Sequence, residues 1–111
     1  NSKDNRNIDE VSTEKLIDES IRNNTPAEII DLLSPFFYGS ELYKYVGILF
    51  KAKYRPHINI RIEDHIDAFK ACIYDVMKRY KLRKIHSLEG YLYASIRALT
   101  RRLYLDRPLI A

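Results

Sequence analysis

The segment IEDHIDAFKACIYDVMKRYK, residues 62–81, decides the fold class. Its apolar residues Ile62, Ile66, Phe69, Ile73, Val76, Met77 and Tyr80 recur at spacings of three and four, the repeat of one face of an α-helix. Such a stripe buries one side and leaves Glu63, Asp67, Lys70 and Lys78 in water. Glu63 and Asp67 are like charges one turn apart, but both lie near the positive start of the helix, which tolerates them. Period-two alternation, the mark of a half-buried strand, is nearly absent along the chain, so the sequence predicts helices throughout.

Downstream, a helix is expected from about Leu88 to Leu105, with Ser87 as its cap, Glu89 in its first turn and Pro108 just past its end. Leu88, Leu92, Ile96, Leu99 and Leu103 form its stripe. Upstream, a helix over about Ser40 to Lys53 places Leu42, Tyr45, Val46, Leu49 and Phe50 on one side, and Gly39-Ser40 supplies a break and a cap. Gly47 inside it costs roughly 1 kcal/mol relative to Ala, which reads as a close helix crossing. Arg55-Pro56 closes that helix, and His57 to Ile60 reads as a loop or a short extended piece. A short helix from Pro26 to about Leu33 has Thr25 as cap and Pro26 where its missing N–H does no harm; Pro35 stops it. The first helix is expected from about Thr13 to Asn23, capped by Ser12 or Thr13, with a narrow stripe of Leu16, Ile17 and Ile21. Five helices with short links predict an all-α fold, a compact bundle of about five helices.

The 111 residues suit one domain. Asn1 to Asn7 are polar and charged, so residues 1–11 read as a polar linker, such as remains when a domain is cut from a longer protein. Residues 12–111 read as a single helical domain. Apolar residues at 46% and charged residues at 31% exclude a disordered chain. Three Gly and four Pro exclude collagen-like and turn-rich architectures. One Cys excludes an internal disulfide and a zinc site built on several cysteines. There is no signal-peptide pattern, and no apolar run approaches the roughly 18 residues of a membrane span. The ending Arg107-Pro108-Leu109-Ile110-Ala111 reads either as a tail packed on the core or as a point where more protein follows.

Charge is distributed unevenly. Residues 1–35 hold 4 basic and 8 acidic side chains, a net of −4; residues 36–75 hold 6 and 5, a net of +1; residues 76–111 hold 9 and 2, a net of +7. The last group is Lys78, Arg79, Lys81, Arg83, Lys84, Arg97, Arg101, Arg102 and Arg107. Cations at the end of the fourth helix complement its negative pole without any partner. Arg97 and Arg101 share a face of the fifth helix, a mildly repulsive pair that a bound anion would reward. A surface of this kind is a solvated face, a nucleic-acid site or a site for an acidic protein.

No residue pattern in the sequence points to catalysis. Glu63, Asp64 and His65 are consecutive and point in different directions from a helix, so they cannot all hold one metal ion, and no metal or cofactor site is expected. Cys72, near Phe69 and Ile73, reads as a small buried residue rather than a nucleophile. Gly-rich phosphate loops and nucleophile elbows are missing from the sequence, and an enzyme is not expected. The nine tyrosines exceed what so small a core can bury. Tyr91 and Tyr93 flank Leu92, so at least one faces away from the stripe. Exposed tyrosines beside arginines suit a protein interface, and they also suit stacking on unpaired bases. The candidate partner-binding set is Lys78, Arg79, Lys81, Arg83, Lys84, Tyr91, Tyr93, Arg97, Arg101 and Arg102.

Two stretches carry a family likeness: Ile48-Leu49-Phe50-Lys51-Ala52-Lys53 before a helix, and His86-Ser87-Leu88-Glu89-Gly90-Tyr91-Leu92-Tyr93-Ala94-Ser95-Ile96 leading into a basic helix. Over roughly residues 40–105 the arrangement resembles the C-terminal, DnaD-like domain of RepA_N-type replication initiators from plasmids of Gram-positive bacteria. The DnaD-like motif has a Tyr, an Ile four residues later and a Trp four after that. Here the register reads Leu92, Ile96 and Thr100, and the chain has no Trp. The resemblance implies a DnaD-like helical domain in the bacterial cytoplasm that recruits host replication machinery, such as the primase, to the plasmid origin. Direct binding of single- or double-stranded DNA by the same basic residues, and an oligomerisation module, are the alternatives, and the oligomeric state stays open.

Overall fold

A computed structural model describes the backbone of residues 2–54 and 59–108 and the side chains of residues 11–53 and 59–108. Five helices follow in order: α1 (Ser2–Asn23), α2 (Ala27–Leu33), α3 (Ser40–Tyr54), α4 (Ile66–Lys81) and α5 (Leu88–Asp106), with a 3₁₀ turn at Ile62–His65 ahead of α4. No strand occurs among the described residues, so the protein is all-α, as its spacing predicts. The chain divides into two compact units, Asn1–Val46 and Gly47–Ala111, with the division falling inside α3.

In the first unit, α1 begins at Ser2 rather than near Thr13, so residues 2–11, expected as linker, are helical. Neither Gly nor Pro interrupts that stretch, and nothing in its backbone chemistry stops a helix from continuing. The expected stripe of α1 is only partly present. Ile17 and Ile21 are half-buried, but Leu16 is 65% exposed. Polar hooks tie the helix down instead. Asp18, 6% exposed, accepts from the Gly39 N–H (3.0 Å) and from Arg22 Nε (2.7 Å). Glu14 Oε2 accepts from the Ser40 N–H (2.9 Å). Two carboxylates from α1 thus satisfy donors at the start of α3, where free N–H groups and the helix dipole both favour anions. The expected cap by Ser40 is replaced by this arrangement. Gly39 is needed there twice over: its φ is +63°, and a Cβ would overlap the Glu14 carboxylate.

α2 begins at Ala27, with Pro26 in the capping position; the expected Thr25 cap is not formed. The Pro26 carbonyl accepts from the Ile29 and Ile30 N–H groups. Ile29, Ile30, Leu32 and Leu33 are all buried. With Phe37, Leu42, Tyr45 and Val46 they are the buried apolar residues of this unit among those whose side chains are described. The Phe37 and Tyr45 rings stack with centroids 3.9 Å apart.

In the second unit, Gly47 is exposed, and a Cβ built on it would meet nothing within 4 Å. The close helix crossing expected there does not exist. Residues 55–58, which hold the expected Arg55-Pro56 stop and most of the loop after it, lie outside the described residues. The predicted helix over residues 62–81 is split by His65 (φ −138°, ψ 37°) into the 3₁₀ turn and α4. Ile62 is buried in this geometry too, so apolar spacing alone could not separate the two. α4 packs against that turn and against α5. Phe69, Ile73, Val76 and Met77 of α4, and Leu92, Ile96 and Leu99 of α5, are buried. Tyr80 and Phe50, expected on the buried stripes, are instead exposed. Thr100 is fully buried, its hydroxyl donating to the Ile96 carbonyl (2.8 Å). The register Leu92, Ile96, Thr100 is therefore core throughout.

The link from α4 to α5 is a tight reversal. The Lys84 N–H donates to the Arg79 carbonyl and the Arg83 N–H to the Tyr80 carbonyl, the paired bonds of a Schellman cap. Its left-handed position, usually Gly, is held by Arg83 (φ +57°). Ser87 then caps α5 as expected, its Oγ accepting from the Gly90 N–H (3.1 Å). A side chain in the left-handed region costs about 1–2 kcal/mol, partly offset because Gly loses more entropy on folding. Arg83→Gly is expected to raise stability by up to about 1 kcal/mol and the melting temperature by a few degrees. A lower melting temperature would show that the Arg83 side chain itself holds the turn.

Candidate partner-binding face

The ten residues singled out in the sequence all lie in the second unit, on α4, α5 and the turn between them. Lys78, Arg79, Lys81, Arg83, Lys84, Arg97, Arg101 and Arg102 are exposed, and Tyr91 and Tyr93 are half-buried. They form two groups. Lys78, Arg79, Lys81, Arg83 and Lys84 gather where α4 ends and the chain reverses. Arg97, Arg101 and Arg102 sit in the second half of α5. At 1.5 Å per residue, Arg97 lies roughly 14 Å along α5 from its first residue.

The two tyrosines divide between these groups. Tyr91 and Tyr93 stand about 200° apart around α5. Tyr91 lies near Arg79, whose Nε donates to Asp75 Oδ2 (2.9 Å). That hydrogen bond, followed by the Asp75 charge and Tyr91, raises the Arg79 pKa above its usual value. Tyr93 instead borders an open concavity of about 510 Å³ on the outer side of α5. Ala94, Ala98 and Leu105 provide its apolar floor. Arg97, Arg101 and Arg102 rise around it, and Asp106 closes one end. None of the three arginines forms an ion pair with a carboxylate among the described residues.

A second concavity, about 470 Å³, runs between α4 and α5 beside Cys72, and shares Ala98 and Arg102 with the first. Cys72 is half-buried rather than fully buried. Burial pushes its thiol pKa up and the Asp75 charge adds to this, while Arg102 opposes both. A thiol with a raised pKa is a poor nucleophile at neutral pH.

Leu105, Ala94, Ala98 and Asp106 were absent from the sequence-derived set. Leu105 carried a signal: it falls outside the three-and-four spacing of the α5 stripe and is 67% exposed. Elsewhere, Glu63, Asp64 and His65 border a shallow concavity together with Asp67. No group of three or more described His, Cys, Asp or Glu residues is disposed to hold a metal ion. No helix among the described residues is long and apolar enough to cross a membrane. No family model, curated protein or solved structure matches the chain.

Proposed function

We propose that this chain is a recruitment domain of a RepA_N-type plasmid replication initiator, a binding module rather than an enzyme, acting in the bacterial cytoplasm. Its α5 arginine face engages an acidic surface of a host replication protein, the primase being the first to test. The resemblance over residues 40–105 supports the replication setting. The observation that carries the binding role is the grouping of Arg97, Arg101 and Arg102 around one apolar concavity with no ion-paired carboxylate among the described residues. Like charges kept together on one helix face are mildly unfavourable by themselves. Opposite potential on a partner speeds encounter, and desolvated arginines hold it.

The test is a titration of the labelled chain with purified primase from a Gram-positive host, read by fluorescence anisotropy. Arg97→Glu, Arg101→Glu and Arg102→Glu together are expected to weaken binding at least about ten-fold, or 1.4 kcal/mol. An unchanged Kd removes this face from the interface. DNA binding would show itself differently: affinity for a duplex would fall with a log–log salt slope of about −0.9 per phosphate neutralised. Such a slope, lost in the triple variant, would replace protein recruitment by DNA binding.

A further inference from the structure

We infer that the α5 concavity is a seat for an acidic amphipathic helix of the partner protein. This rests on the recruitment reading above and deepens it by stating what the arginines bind. The first argument is charge. Three cations surround the concavity against one carboxylate, Asp106, so an anionic segment fits it. The second is spacing. Arg97 and Arg101 are one turn apart, about 6 Å along α5. Carboxylates at i and i+4 on an incoming helix have the same separation. The third is the floor. Ala94 and Ala98 are also one turn apart, and two such short side chains let another helix axis come within the usual 8–10 Å. Leu105 then gains apolar cover that it lacks in the free chain.

A nucleic-acid backbone fits this site poorly. It offers anions but no apolar group for Leu105, and Asp106 would face its phosphates. Stacking of an unpaired base needs an open aromatic face, and Tyr93 at the rim is half-buried. An acidic helix with leucines or alanines beside its carboxylates satisfies the rim and the floor together.

The test uses the full chain and a stapled synthetic helix of about five turns, with leucines on one face and glutamates flanking them at i and i+4. Controls are the same peptide with glutamines and a DNA duplex. Ala98 is exposed, so Ala98→Phe fills the floor without entering the core; circular dichroism checks that the fold is kept. Ala98→Phe is expected to lower affinity for the acidic peptide at least ten-fold, and the parent chain is expected to bind the glutamine peptide at least ten-fold more weakly than the acidic one. Equal binding by parent and Ala98→Phe, with loss in the triple glutamate variant, would overturn the helical seat and leave recruitment by the arginines standing. Duplex binding abolished by the triple change, with no peptide binding, would overturn both. Self-association of the parent chain in sedimentation, abolished by Ala98→Phe, would make the concavity a contact between copies and likewise overturn the seat.

Discussion

Phe69→Ala is expected to cost about 3–5 kcal/mol, the range for deleting a fully buried aromatic ring. Phe69 is 0% exposed, and it shares the buried face of α4 with Ile73, Val76 and Met77, where α4 packs against α5. Deletion removes the transfer energy of the ring and leaves a cavity that a close-packed interior closes only in part. A chain of this size has a total stability of about 5–15 kcal/mol, so the loss takes a large share of it. Urea denaturation gives the magnitude, and amide exchange along α4 and α5 gives the location. Phe69→Leu retains most of the volume and is expected to lose clearly less. A loss below about 1 kcal/mol for the alanine variant would mean that Phe69 is not packed as described. The proposed seat of binding lies on the outer side of α5, so this variant also measures how far that face depends on the core beneath it.

Asp18→Ala is the second large effect, expected at about 1–3 kcal/mol. It leaves the Gly39 N–H without its acceptor and frees the Arg22 guanidinium. Burial by itself raises the Asp18 pKa. The Gly39 and Arg22 hydrogen bonds, with the Arg22 charge, together outweigh it and hold the carboxyl below its ordinary value. Glu14 is lowered as well, chiefly by the Ser40 N–H. A depressed carboxylate contributes stability that is fully present above its unfolded pKa, about 3.9 for Asp and 4.3 for Glu. That contribution is lost as pH falls through the lower native value. The parent chain is therefore expected to lose stability below about pH 4 more steeply than Asp18→Ala. Urea midpoints at neutral and acid pH check this. Parallel acid profiles for the two proteins would show that Asp18 is not linked to folding.

The existence of each helix was legible because an apolar stripe needs only local spacing. Leu92, Ile96 and Leu99 of α5, and Phe69, Ile73, Val76 and Met77 of α4, are buried as their three-and-four repeat predicts. Ser87 caps α5 because a hydroxyl three residues before an N–H reaches it within one turn. The failures fall where a local rule met a distant partner. The side of α3 that carries Gly47 is open, so its missing Cβ marks no crossing. Leu16 fitted a stripe, yet α1 is fastened by Glu14 and Asp18 to backbone donors 26 and 21 residues away. Spacing has no means of reporting such bonds.

The candidate face divides in the same way. From the sequence came the polarity of the chain, acidic first and basic last, and the sharing of a face by Arg97 and Arg101, since a helix places residues four apart side by side whatever surrounds it. Tertiary structure alone decided that Tyr91 stands with Arg79 while Tyr93 borders the arginine concavity. It alone made Ala94, Ala98 and Leu105 the floor of that concavity. Periodicity sets the angle of a side chain about its own helix axis. Which side chains then surround a common space depends on how the helices pack and reverse, and no single-helix repeat encodes that.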